Sequence, residues 1–232
     1  MNDLNLYGDS RSPTISSFGV DIAMQREDDL DKMAIDKVSA MCAALQQLGR
    51  TPRALDLGCA SGGQALRMAG AGATVTALDI ADYSQVFLSA ARQAGWGDRC
   101  SFLRQDITKF KVADNLEPFH VIVCQRMIHY VPYAAALGIV ADLRRALTED
   151  GRLYISASGL HSELGNGYTE RSKPVSQRYA VLSDEMSSRH AIKGPVCLYS
   201  VADLARLLED AGMRVEQVFA SPFGNIKAVA KP

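Results

Sequence analysis

The chain has 232 residues, 47% of them hydrophobic and 22% charged, and its 25 Lys and Arg against 26 Asp and Glu leave a formal charge of −1. A chain of this length buries one substantial core, so a single α/β domain with embellishments is expected, and the near-neutral balance gives no broad basic field, which argues against nucleic acid as the main partner. The five cysteines, Cys42, Cys59, Cys100, Cys124 and Cys197, are odd in number and lack metal-ligand spacing, which predicts no metal site and suits a reducing, cytoplasmic setting.

The N-terminal stretch MNDLNLYGDSRSP is polar from its first residues, and no apolar run is long enough for a membrane span. Residues 1–25, with Tyr7 and Phe18 among Gly, Ser, Pro and Asp, show no sustained period and read as loop or lid. From Arg26 to Leu48 the apolar positions Leu30, Met33, Ala34, Val38, Met41, Leu45 and Leu48 recur at helical spacing, with Gly49 as a stop. The acids Glu27, Asp28 and Asp29 at its start read as complementing the helix dipole rather than as a metal site.

Arg53 to Leu57 is short and apolar enough for a buried parallel strand. It leads through Gly58-Cys59-Ala60-Ser61-Gly62-Gly63 into a helix from Gln64 to Met68. Small residues let the backbone turn sharply and approach a ligand, and the orphan N–H groups of the helix start then face that ligand. Gly58, Ala60 and Gly63 also fit a loosened dinucleotide fingerprint, so the turn alone does not decide the ligand. A second apolar run, Thr74 to Leu78, ends in Asp79, at the offset expected of a ribose-binding carboxylate. The helix Ser84 to Ala94 closes at Gly95, and a third run, Ser101 to Gln105, ends in Asp106. Successive strands thus carry an aspartate near the carboxyl edge, where open α/β sheets bind ligands. Phe119 to Cys124 is the fourth strand.

Taken in order, LDLGCASGG, ALDI and RQDI resemble the motifs of the class I S-adenosylmethionine-dependent methyltransferases, from about Arg53 to the C-terminus. The resemblance implies a doubly wound, mostly parallel seven-stranded sheet with a C-terminal antiparallel hairpin and helices on both faces. It also implies S-adenosylmethionine as cofactor: Asp56, Gly58, Cys59, Ala60 and Gly62 around the methionyl part, Asp79 on the ribose hydroxyls and Ile80 against the adenine. Asp106 would accept from the adenine amino group, with the Ile107 amide near the ring nitrogens and Gln125 beside the cofactor. Ala60 stands where many members have glycine.

Immediately after the fourth strand lies Gln125-Arg126-Met127-Ile128-His129-Tyr130-Val131-Pro132, again on the ligand edge. His129 is the candidate general base, since a neutral imidazole can accept a proton from an oxygen or nitrogen nucleophile; its alternative is to shape the pocket. Arg126 and Tyr130 are acceptor-pocket candidates. His120, early in the strand, is structural. No Asn-Pro-Pro-Tyr or Asp-Pro-Pro-Tyr signature of amino-group methylation on adenine or glutamine is present, and no paired acids with Asp-Asn suggest a catechol-type magnesium site.

Tyr133 to Leu147 reads as a helix and Arg152 to Ser156 as the fifth strand. The long interval 159–199, polar with Tyr168, Tyr179 and Tyr199 interspersed, is expected to be a lid or disordered. A helix is expected over Val181 to Ile192, and Tyr168 and Tyr179 are expected acceptor contacts. Ser200 and Asp203 open a helix through a capping box, and Arg214–Phe219 and Ile226–Ala230 close the chain as two strands. One domain over 1–232 is expected: an N-terminal lid and helix (1–49), a cofactor core (50–158), a substrate-lid insert (159–199) and a C-terminal helix and hairpin (200–232). The expected function is methyl transfer to a nucleophilic O or N of a small molecule. The alternatives are a protein or RNA methyltransferase that docks through Arg171, Lys173, Arg178, Arg189 and Lys193, or a non-catalytic S-adenosylmethionine-binding protein. The sequence leaves the oligomeric state open.

Overall fold

The computed structural model describes residues 27–232; the expected cover over 1–25, with Tyr7 and Phe18, lies outside the described residues. The first helix, α1 (Asp29–Gln46), starts on a true cap rather than on dipole charge alone. Asp28 accepts from the amides of Leu30 and Asp31, and Asp31 accepts in return from the amide of Asp28. Such a reciprocal pair satisfies donors that the helix itself leaves orphaned. Leu30, Ala34 and Val38 then fall on one buried stripe.

Strand β1 (Arg53–Leu57), helix α2 (Gly63–Gly70), β2 (Thr74–Asp79), α3 (Ser84–Gln93), β3 (Cys100–Arg104) and β4 (Phe119–Gln125) follow as the sequence predicts, with a short unpredicted helix, α4 (Val112–Asn115), between the last two strands. They continue into α5 (Tyr133–Arg145), β5 (Leu147–Ala157), α6 (Asp184–His190), α7 (Val201–Asp210), β6 (Arg214–Ala220) and β7 (Ile226–Lys231). The seven strands form one sheet in the order β3-β2-β1-β4-β5-β7-β6, with β7 antiparallel to both neighbours. The order reverses at β1, where β2 and β4 lie on opposite sides, and that reversal opens a crevice at the carboxyl edge.

Alternation along β4 sorts the two cores. Val121 and Val123 face Leu30, Ala34 and Val38 of α1 together with Met68 and Phe87, while Ile122 and Cys124 face Leu143 of α5 and Leu204 and Leu207 of α7. Both faces of the sheet are therefore buried, as continuous apolar strands require. Strand β5 begins earlier than expected, because Leu147 pairs with Phe119 before the register resumes at Val121 and Arg152. His120 is structural, its Nδ1 accepting from the Arg53 amide at 3.1 Å.

The insert departs most from expectation. It is folded, with its own apolar cluster of Leu160, Leu164, Tyr168, Leu182, Met186, Val196 and Leu198. Its expected helix is confined to Asp184–His190, capped by the Ser183 hydroxyl. The insert's two ends meet: Leu160 donates to Tyr199 O at 2.9 Å, and Tyr199 donates to Ser158 O at 3.0 Å. Among the described residues no helix is long and apolar enough to cross a membrane.

Candidate functional site

After β1 the backbone turns through Gly58 at φ +70° and Gly62 at φ +82°, with Ala60 also left-handed. Left-handed φ favours glycine, and space demands it too. A Cβ on Gly58 would lie 2.8 Å from Met127 Cγ, and one on Gly62 would lie 2.3 Å from Phe87 Cδ2. Asp56 is 4% exposed and accepts from the Ala65 amide at 3.0 Å, so it anchors the start of α2. Cys59 is buried, and burial together with Asp56 and Asp79 pushes its thiol well up, which keeps it protonated.

Asp79 ties this turn to the next strand. Its Oδ2 accepts from the Ala60 amide and its Oδ1 from the Ala81 amide, both at 2.9 Å. Each oxygen keeps acceptor capacity beyond the amide it takes. Beside it Ile80 is 66% exposed. On the neighbouring strand end, Asp106 accepts from the amide and hydroxyl of Thr108 at 3.0 and 2.7 Å, which hold its carboxyl below the usual range.

These groups border one cavity of about 360 Å³. The turn after β1 contributes Gly58, the end of β2 contributes Asp79 and Ile80, and the loop after β3 contributes Asp106 and Ile107. The segment after β4 adds Arg126, Met127, Tyr130 and Val131. Several hundred cubic ångströms suit a small ligand or cofactor. The cavity thus gathers residues from four strand ends, including both carboxylates. Asp56, Cys59, Ala60 and Gly62 shape the turn behind it rather than forming its wall.

His129 is placed differently from a general base. It is 1% exposed and absent from the cavity wall. The Ser158 amide donates to its Nδ1 at 3.4 Å, which leaves the proton on Nε2, 3.3 Å from Ser158 Oγ. Burial and the nearby Arg126 lower its pKa to about 3, so it is neutral yet shut away from a nucleophile in the cavity. This environment fits the pocket-shaping role.

Gln125 also lies outside the cavity wall. Its amide donates to the Asp31 carboxylate, and its carbonyl accepts from Ser156 Oγ at 3.1 Å. Side-chain alternation explains this, because Gln125 follows Val121 and Val123 onto the α1 face. Tyr168 is 4% exposed in the insert's own core, and its hydroxyl donates to the carbonyls of Arg178 and Val196, so it is no acceptor contact. Tyr179 does approach the site: its hydroxyl donates to the Tyr130 carbonyl at 2.9 Å. Sequence reasoning missed Met127, whose side chain fills the space left by Gly58, and Ser156, a hydroxyl at the end of an apolar strand. A polar residue in that position was the available signal.

Comparison with known proteins agrees with this layout. Residues 54–151 match the family described as Methyltransferase domain. Ubiquinone biosynthesis O-methyltransferase of Glaesserella parasuis is 33% identical over 109 residues, covering 45% of this chain and 44% of that protein. The same enzyme of Actinobacillus pleuropneumoniae is 33% identical over 106 residues, with 45% and 44% covered. The chain thus spans less than half the length of these curated relatives. Among solved structures, Burkholderia thailandensis 1,6-didemethyltoxoflavin-N1-methyltransferase, with bound S-adenosylhomocysteine, superposes at TM-score 0.59 and 20% identity over 86% of this chain and 78% of its own. Synechocystis PCC 6803 magnesium protoporphyrin IX methyltransferase does so at TM-score 0.59 and 17% identity, over 97% and 90%. At these identities the likeness establishes the fold.

Proposed function

We propose, on the premise that the chain belongs to the class I S-adenosylmethionine-dependent methyltransferases, that it transfers a methyl group to a nucleophilic oxygen or nitrogen of a small molecule. The observation that carries this reading is the exposed apolar Ile80 lining one cavity together with two carboxylates, Asp79 and Asp106. A large exposed aliphatic side chain beside acceptor-only groups fits a flat heterocycle joined to a sugar.

In this reading Asp79 accepts from the ribose hydroxyls, Ile80 lies against the adenine, and Asp106 with the Ile107 amide recognises its polar edge. Asp56, Gly58, Cys59, Ala60 and Gly62 form the loop that receives the methionyl part. When bound, S-adenosylmethionine supplies a methyl group activated on a sulfonium. The chain's own contribution is alignment and exclusion of water: well-oriented reactants gain roughly 7–11 kcal/mol over the free pair. Arg126 and Tyr130 stand in the cavity wall as acceptor contacts, and His129 supports that wall as a neutral group. Residues 159–199 cover the acceptor side, joined to it through Tyr179. The setting proposed is the cytoplasm, in keeping with free thiols at Cys42, Cys59, Cys100, Cys124 and Cys197.

Four of the insert's five basic residues are engaged within the chain, which speaks against macromolecular docking. Arg178 pairs with Asp203, Arg189 with Glu163 and Glu185, and Lys173 with Glu170, while Arg171 reaches the His161 ring. A small acceptor agrees with the similar proteins, which are a methyltransferase of ubiquinone biosynthesis and methyltransferases of 1,6-didemethyltoxoflavin and magnesium protoporphyrin IX. Incubation with methyl-labelled S-adenosylmethionine and a metabolite extract tests the reading. Label in small molecules is expected; label in macromolecules, or tight binding without transfer, would overturn it.

A further inference from the structure

Arg126 sits at φ +50°, a left-handed backbone in a residue that is not glycine. Such a conformation is disfavoured about five- to thirtyfold relative to right-handed backbone. It persists only where the surroundings impose it. Here the Arg126 amide is held twice by one residue, donating to Ser156 O at 3.0 Å and to Ser156 Oγ at 3.1 Å.

The Ser156 hydroxyl is itself oriented, because it donates to Gln125 Oε1 at 3.1 Å. Gln125 Nε2 in turn donates to the Asp31 carboxylate. Asp31 is the third residue of α1 and half of its capping box. Ser156, Gln125 and Asp31 are 1%, 8% and 0% exposed, so water does not compete for these bonds. The chain of hydrogen bonds thus runs from the start of α1, beneath the ends of β4 and β5, to a residue of the cavity wall.

We propose that Asp31, Gln125 and Ser156 are positioning residues that force Arg126 into its left-handed backbone and so fix the wall formed by Arg126 and Met127. Met127 is the residue that packs against Gly58, so a relaxed Arg126 would shift the contact between the segment after β4 and the turn after β1. The inference rests on the reading of the cavity as the cofactor site. It adds that the site's shape depends on a helix that contributes nothing to its wall.

The test is a set of Ser156→Ala variants in three backgrounds, read by calorimetric binding of S-adenosylhomocysteine and by hydrogen exchange of residues 126–131. In the natural chain Ser156→Ala is expected to weaken binding about three- to tenfold and to speed exchange. In an Arg126→Ala background the same loss on top of the side-chain deletion is expected, because alanine also resists the left-handed region. In an Arg126→Gly background the added loss should shrink to less than about twofold, since glycine accepts that region without being forced. An equal Ser156→Ala effect in the alanine and glycine backgrounds would overturn the proposal, because a general loss of packing has no reason to depend on backbone freedom at 126. If Ser156→Ala does not fold, Gln125→Met replaces it in the same three backgrounds. If the natural chain binds no S-adenosylhomocysteine, the cofactor reading fails; the positioning role is then judged on exchange alone, where the same background dependence supports it and its absence overturns it.

Discussion

The Ala60 amide donates to Asp79 Oδ2 at 2.9 Å, and this one bond fastens the turn after β1 to the end of β2. Since Asp79 also takes the Ala81 amide, its carboxylate is fixed in place before any ligand arrives. A preorganised acceptor binds without the ordering cost a mobile one would carry.

Replacing Asp79 by alanine is therefore expected to weaken S-adenosylhomocysteine binding by about ten- to a hundredfold, the equivalent of losing charge-assisted hydrogen bonds of roughly 1.5–3 kcal/mol. Asp79→Asn should fall between, because the amide oxygen still accepts. Calorimetric titration is the check: unchanged affinity in a folded alanine variant would remove Asp79 from the site.

Gly58→Ala should destabilise the protein by about 1–3 kcal/mol, through the left-handed φ and the 2.8 Å approach to Met127 Cγ. Adding Met127→Gly, which removes both the Cγ at 2.8 Å and the Cβ at 2.9 Å, should recover the steric part and leave the backbone part. Urea unfolding of the single and double variants separates the two; no recovery would mean that the contact with Met127 is not the strain.

The buried His129 makes stability depend on pH. Its folded pKa, about 3, lies below the ordinary value of 6.5, so between these values the unfolded chain holds a proton that the folded chain lacks. The contribution is complete above about pH 6.5 and is lost as pH falls towards about 3, by at most roughly 1.4 kcal/mol per pH unit. His129→Gln should flatten the difference in unfolding free energy between pH 5 and pH 7.5, with His120, also lowered by burial, supplying what remains. Turnover should show no inflection from His129 near neutrality. An inflection near pH 6.5 that vanishes in His129→Gln would restore the base.

The tyrosines of the insert should separate by role. Tyr168→Phe removes the donor to two buried carbonyls and is expected to lower stability by about 1–3 kcal/mol while sparing cofactor affinity. Tyr179→Phe loosens only the tie to Tyr130, so it should leave stability within about 1 kcal/mol and raise the acceptor KM about threefold or more. Thermal unfolding together with steady-state kinetics would show the opposite pattern if Tyr168 touched the acceptor.

The core of the sheet was legible because its signals are local. The apolar runs ending at Leu57 and Asp79, the small residues between Gly58 and Gly63, and the Ser200 and Asp203 cap each need only a few neighbouring residues to be read. The cavity's carboxylates followed from the rule that strand ends face the ligand edge. What failed to show was the direction of side chains whose partners lie far along the chain. His129 and Gln125 are next to the edge in sequence, yet their partners, Ser158 and Asp31, turn them inward. Tyr168 stands in an interval without a regular period, and nothing local reveals that such a stretch closes its own core around Val196 and Leu198.

The meeting of the insert's two ends has a consequence for how such a chain can change over time. Ser158 and Leu160 hydrogen-bond to Tyr199, so the chain leaves the sheet and returns to it at one place. The stretches between that stay clear of the contacts made by Val175, Arg178, Tyr179 and Cys197 can lengthen at only about 0.6 kcal/mol per doubling of loop length, without redirecting β5 or the helix that follows. On the proposed function, selection can exchange one acceptor preference for another by rewriting this stretch, while the cavity between the ends of β1 to β4 is inherited intact.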